Sequence, residues 1–296
     1  MLSQVASGFS FPESPRWHDG RLWFVDRDGP VVYSMRLGGE PSPVASVPPK
    51  VMGLGFSPDG ALVVNQVERR IYRIKPDGRL ALFADLAKLT PFWLNDMLVL
   101  PDGSGYVGSF GFDLMNHAQP EPSQLIRFDA DGVARFVGPP LLMPNGIGQL
   151  STGRLVVAES FGSRLTVLDV DSNGDINSAE VLLDLADRHG HPDGLAIDAE
   201  DSIWYADTFA GTVTKVSADG EQVDVIDLPC AHATSCAFVG TNLGQLAITT
   251  TDHLYPPEAM AHRSGRILMV AVDVPGCRDL SSVSSVSSPD TTVGAQ

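Results

Sequence analysis

Apolar and polar residues alternate in short bursts along this chain, with turn residues between them. RLWFVD and VVYSM follow a His18-Asp19-Gly20 tip, and ALVVN and RRIYRI follow Ser57-Pro58-Asp59-Gly60. GYVGSF and SQLIRF follow Pro101-Asp102-Gly103, and RLVVAES and RLTVLDV follow Ser151-Thr152-Gly153. SIWYADT and GTVTKV follow residues 199–201, and QLAITT and GRILMVAV follow Thr241-Asn242. A two-residue period of this kind predicts strands, and the glycines at the tips suit tight hairpin turns.

Each unit also opens on a strand led by a special residue: Glu13, Gly53, Asn95, Asn145, Asp193 and Ser235, spaced 40, 42, 50, 48 and 42 residues apart. Six units of this length, each with several short strands, predict an all-β, six-bladed β-propeller. A parallel α/β fold would need amphipathic helices between strands. The chain offers at most a short helical turn at residues 182–189. Pro76-Asp77-Gly78, residues 129–132 and Asp219-Gly220 read as further hairpin turns. We expect one propeller domain over residues 1–278 and a disordered Ser/Thr-rich tail over 279–296. The early stretch QVASGFSF is expected to add an outer strand to the last blade and so close the ring.

A propeller gathers the equivalent positions of its innermost strands around one axis. Glu13, Asn95, Asn145 and Asp193 would then bring two carboxylates and two amides together. Two buried carboxylates are costly without a cation. An all-oxygen donor set suits Ca²⁺ first, with Mg²⁺, Mn²⁺ or Zn²⁺ as other candidates, and leaves positions open for water and substrate. Glu13 has Arg16 as an alternative partner, and Asn-Asp, Asn-Gly and Asp-Gly are also turn dipeptides. The shared phase within the repeat favours the metal.

The 296 residues carry 20 Lys+Arg against 36 Asp+Glu, a net charge of −16. That balance repels phosphate backbones and anionic lipid, so a small molecule is expected as partner, not nucleic acid or membrane. The three cysteines, Cys230, Cys236 and Cys277, form no CxxC pair and suit a reducing compartment. The start MLSQVASGFSF lacks the basic and apolar regions of a signal peptide, and no apolar run approaches membrane-span length. A cytoplasmic location is expected.

The segments Glu13-Ser14-Pro15-Arg16-Trp17, Asn95-Asp96, Pro144-Asn145-Gly146, Pro192-Asp193-Gly194 and Thr234-Ser235-Cys236-Ala237-Phe238 together resemble the SMP-30/gluconolactonase/luciferin-regenerating-enzyme family over roughly residues 11–275. The resemblance implies a propeller with one catalytic metal on Glu13, Asn145 and Asp193, with Asn95 beside the metal or the substrate. It also implies lactone hydrolysis. Asp193 is then the candidate base or nucleophile, and Asn95 the residue that orients substrate or oxyanion.

Sugar-lactone members carry Arg at the position of Trp93; their acidic sugar contact falls near Asp113. Trp93, with Phe112, therefore favours an apolar or aromatic lactone or ester over gluconolactone. Phe110, Phe161 and Phe209 follow inner strands and are candidates for the same mouth. His191 and His232 are further acid–base candidates. Two alternatives remain at this stage. One is a phosphotriesterase-like hydrolase, or a rearrangement or cyclisation enzyme, using the same metal. The other is a non-catalytic binding propeller that a metal stabilises.

Overall fold

A computed structural model describes residues 1–277, and the tail expected at 279–296 lies outside them. Six antiparallel four-stranded sheets make the molecule. Their innermost strands are Pro12–His18, Val51–Ser57, Leu94–Val99, Pro144–Gln149, Pro192–Ile197 and His232–Val239. Each touches the next, and the sixth touches the first, which closes the ring around a channel. Blades one to five run outward in chain order. The sixth is completed from the other end of the chain: Ser3–Phe9 pairs antiparallel with Gly265–Ala271, as the early stretch predicted.

Apolar residues between blades hold the ring. Between blades two and three, Leu62, Ile71, Leu94, Met97, Ile126 and Phe128 are fully buried together. Each such side chain contributes about 1.5–3 kcal/mol.

The structure corrects the sequence reading in three places. Blades one to five each have a fourth strand, for example Gln222–Asp227, that the alternation did not reveal. Residues 182–189 hold no more than the short helical turn expected: Ile176–Asp184 is that blade's outer strand, and Ala186–Arg188 forms a 3-10 turn. A short α-helix occurs at Pro256–His262, where none was expected; it opens on two prolines, whose fixed φ suits a first turn.

The third correction concerns register. Every inner strand carries a β-bulge near its start, where the ladder with the second strand slips by one residue. Just before it, Pro12, Val51, Leu94, Pro144, Pro192 and Ala233 face Asp26, Asn65, Ser109, Glu159, Asp207 and Thr250. The residues that follow these six are equivalent. They are Glu13, Met52, Asn95, Asn145, Asp193 and Thr234, so Gly53 and Ser235 were each one residue out. A bulge bends its strand and re-aims the side chains beside it, here at the same level in all six blades.

Candidate functional site

Glu13, Asn95, Asn145 and Asp193 are all buried. Three of them hold an oxygen with no hydrogen-bond partner among the described residues: Glu13 Oε1, Asn95 Oδ1 and Asp193 Oδ1. Their other polar atoms are fixed. Glu13 Oε2 accepts from the Ser14 N–H at 2.9 Å. Asn95 Nδ2 donates to the Pro144 carbonyl at 3.2 Å, and Asn145 Nδ2 to Ser160 Oγ at 3.1 Å. Asp193 Oδ2 accepts from Thr208 Oγ1 at 2.8 Å. The remaining two bulge-level residues close the circle differently. Met52 packs into the apolar core, and Thr234 donates its hydroxyl to the Pro12 carbonyl at 2.8 Å.

Arg16 does not neutralise Glu13. It pairs with Asp96 at 2.9 Å and also donates to the Met97 carbonyl. Burial pushes Glu13 well above the usual carboxylate range, and the charges of Asp193 and Asp96 push further. Asp193 is raised to about 7, first by burial; Asp96 adds to this, while Thr208, Arg27 and Asn145 oppose it. The charge of Asp193 acts on Glu13, and among the described residues neither acid is hydrogen-bonded to or ion-paired with a protein cation.

Unpartnered buried oxygens of this kind are costly and rare, and they suit a hard divalent cation. Among the described residues no three His, Cys, Asp or Glu side chains gather as a metal cluster. The donor set on offer is two acids and two amides.

Two rings of side chains surround this level. The residues two before the bulge-level set are Phe11, Lys50, Trp93, Met143, His191 and His232. In five blades their carbonyl accepts the N–H of the residue that follows the second strand: Arg27, Gln66, Phe110, Ser160 and Thr208, at 2.8, 3.1, 2.9, 3.2 and 3.1 Å. Ser160 and Thr208 were missed by the sequence reading, yet their hydroxyls hold Asn145 and Asp193. The signal was present: each follows directly after the acid that ends a second strand, Glu159 or Asp207.

Those acids act as clamps. Glu159 accepts the Leu142 N–H at 2.7 Å, Asp207 the His191 N–H at 3.2 Å, and Asp26 the Phe11 N–H at 2.7 Å. Each fastens the approach to a bulge.

Trp93, Phe110, Phe112, Met143 and Phe161 form one apolar cluster on blades three and four. Phe112 is only 3% exposed, so it shapes the wall from behind. Asp113 stands exposed, with both oxygens engaged by Asn116 at the turn that follows. His191 Nδ1 donates to the Ser160 carbonyl at 2.9 Å, and His232 Nδ1 to the Thr208 carbonyl at 3.0 Å. Their Nε2 atoms are thus the basic ones, and the exposed Phe209 lies edge-on between the two rings.

The SMP-30/Gluconolactonase/LRE-like region matches residues 11–252, nearly the whole ring. The chain belongs to this family. A pentonolactonase of Haloferax volcanii is 28% identical over 80% of each chain. A 6-deoxy-6-sulfogluconolactonase of Pseudomonas putida is 30% identical over 62% of this chain and 64% of its own. Among solved structures, a luciferin-regenerating enzyme superposes with a TM-score of 0.81 at 20% identity, covering 94% of this chain and 97% of its own. That likeness shows the fold. Family and relatives together support a lactonase- or esterase-type hydrolase. No helix among the described residues is long and apolar enough to cross a membrane.

Proposed function

We propose that the protein hydrolyses a small lactone or ester, apolar or aromatic in its body, at the end of the channel where the inner strands begin. A divalent cation, Ca²⁺ first, would be held there by Glu13, Asn145, Asp193 and Asn95. The observation that carries this reading is the set of buried, unpartnered oxygens on Glu13, Asn95 and Asp193. A bound cation of this type polarises a carbonyl or ring oxygen as a Lewis acid.

The chain's own residues do the rest. Thr208 fixes one oxygen of Asp193 and leaves the other free to take the proton of an attacking water. Asn95 turns its oxygen, not its N–H₂, toward the axis, because its amide nitrogen is held by Pro144. It therefore serves better as a ligand, or as an acceptor for a substrate hydroxyl or the water, than as an oxyanion donor. Trp93 offers a flat apolar face two residues away, in the same cluster as Phe110 and Phe112. Asp113 would reach substrate only by leaving Asn116.

A panel of aliphatic lactones, aromatic lactones and phosphotriesters, run with Ca²⁺, Mn²⁺ and Zn²⁺, tests the reading. Lactone turnover that a chelator abolishes and Ca²⁺ restores is the expected result. Turnover that survives both the chelator and Asp193→Ala would refute it.

A further inference from the structure

We propose that the rim of the mouth between blades one and two is a recognition site for a carboxylate carried by the substrate, formed by Lys50 and Arg27 beside Trp93. This rests on the hydrolase reading above and names a feature of the substrate that it leaves open.

Repeat geometry places both cations at the mouth. Lys50 occupies the same rim position as Trp93, His191 and His232, two residues before the bulge level, and the Gln66 N–H binds its carbonyl. Arg27 occupies the same position as Ser160 and Thr208, the two residues whose hydroxyls touch the axial set. Its charge acts on both Glu13 and Asp193. The Val51 N–H donates to the Arg27 carbonyl at 3.4 Å, which joins the two loops. Lys50 Nζ lies 5.7 Å from the centre of the Trp93 ring. The positive rim is thus continuous with the apolar wall.

Two cations here share one acid. Arg27 donates through Nε and Nη2 to Asp28 Oδ2 at 3.2 and 2.7 Å, and Lys50 Nζ donates to Asp28 Oδ1. Asp28 is buried beneath them, which leaves one positive charge in excess on a chain of net −16. Donors are also left over. Among the described residues Arg27 Nη1 makes no hydrogen bond, and Lys50 uses one of its three N–H groups on a protein acceptor.

Both side chains are held in place, each only 15% exposed. Arg27 is stacked at 3.5 Å over the Phe11 ring and anchored to the Leu254 carbonyl at 2.8 Å. Preorganised, partly desolvated cations with spare donors fit a carboxylate, whose charge-assisted hydrogen bonds are among the stronger ones in proteins. The axial acids repel a free anion. The rim therefore selects a carboxylate set apart from the reacting carbonyl, on the far side of a ring that lies against Trp93.

Two lactones of the same ring, one bearing a carboxylate and the other a carboxamide in its place, provide the test with Ca²⁺ present. The ratio of their kcat/KM values should favour the acid by about tenfold or more, the range of a hydrogen bond to a charged group. It should fall toward one in Lys50→Met and be retained in Lys50→Arg. An unchanged ratio in Lys50→Met would overturn the proposal while leaving the hydrolase reading in place. Should the native chain turn over neither lactone, the hydrolase reading fails by itself. Calorimetric binding of benzoate against benzamide to the same three Ca²⁺-treated chains then decides the subsite. Benzoate weakened about tenfold in Lys50→Met supports it, and equal binding refutes it.

Discussion

The two ends of the channel are made by the same six strands, yet they treat polar groups in opposite ways. Where the strands begin, at the bulges, buried oxygens of Glu13, Asn95 and Asp193 are left without partners. Where they end, a cavity of about 530 Å³ is lined by apolar side chains such as Trp17, Leu98, Ile147, Leu195 and Phe238. The charged groups at that end are matched. Asp198 accepts from the Glu200 and Ser202 N–H groups, from Trp204 Nε1 and from Lys215, all at 2.9–3.0 Å. Burial works to raise Asp198, but those bonds hold it below the ordinary carboxylate value. One end has been built for stability and the other carries strain that a ligand can relieve.

Four experiments would break or sharpen this contrast. The largest effect is expected from Asp193→Ala, which should lower lactone turnover by roughly a thousandfold while circular dichroism shows an intact fold. At the other end, Asp198→Ala should leave Lys215 buried without its acid and cost about 3 kcal/mol in denaturant unfolding. It should leave Ca²⁺ affinity nearly untouched. If the two variants exchanged phenotypes, the division between the ends would be wrong.

The third experiment uses pH. The folded-state value of Asp193, about 7, lies above its ordinary 3.8. Its contribution to stability is therefore present at low pH and is lost as pH rises through that window. In chelator, the melting temperature should fall between about pH 4 and pH 7 more than it does in Asp193→Asn. Ca²⁺ at about a hundred times its dissociation constant should then restore roughly 2.7 kcal/mol to the native chain above pH 7. The smallest effect is expected at Trp93. Trp93→Ala should reduce kcat/KM for an aromatic lactone, relative to an aliphatic one, by about tenfold or less.

Much of the stable framework was visible in the chain because alternation and turn chemistry repeat six times. The axial acids and amides were visible because they recur at one phase. The outer strands were not visible: Gln222–Asp227 is exposed almost throughout, so no apolar face marks it. The one-residue errors at Gly53 and Ser235 arose because a bulge adds a residue that alternation does not count. Glycine beside the bulge in Asn145-Gly146 and Asp193-Gly194 invited the wrong match in blade two. Arg16 could not be assigned to Asp96 from sequence, since the two lie 80 residues apart on neighbouring parts of the ring. Nor could Asp113, whose oxygens the fold turns to a local Asn.

The pairing of Ser3–Phe9 with Gly265–Ala271 also sets an order of events. A ribosome must deliver the chain as far as Gly265–Ala271 before Ser3–Phe9 finds the seat prepared for it. Until that late handshake, Glu13 cannot be locked opposite Asn145 and Asp193, so a half-made chain offers no complete cage for an ion. If the proposed cation binds there, its affinity should arrive only once this strand is paired.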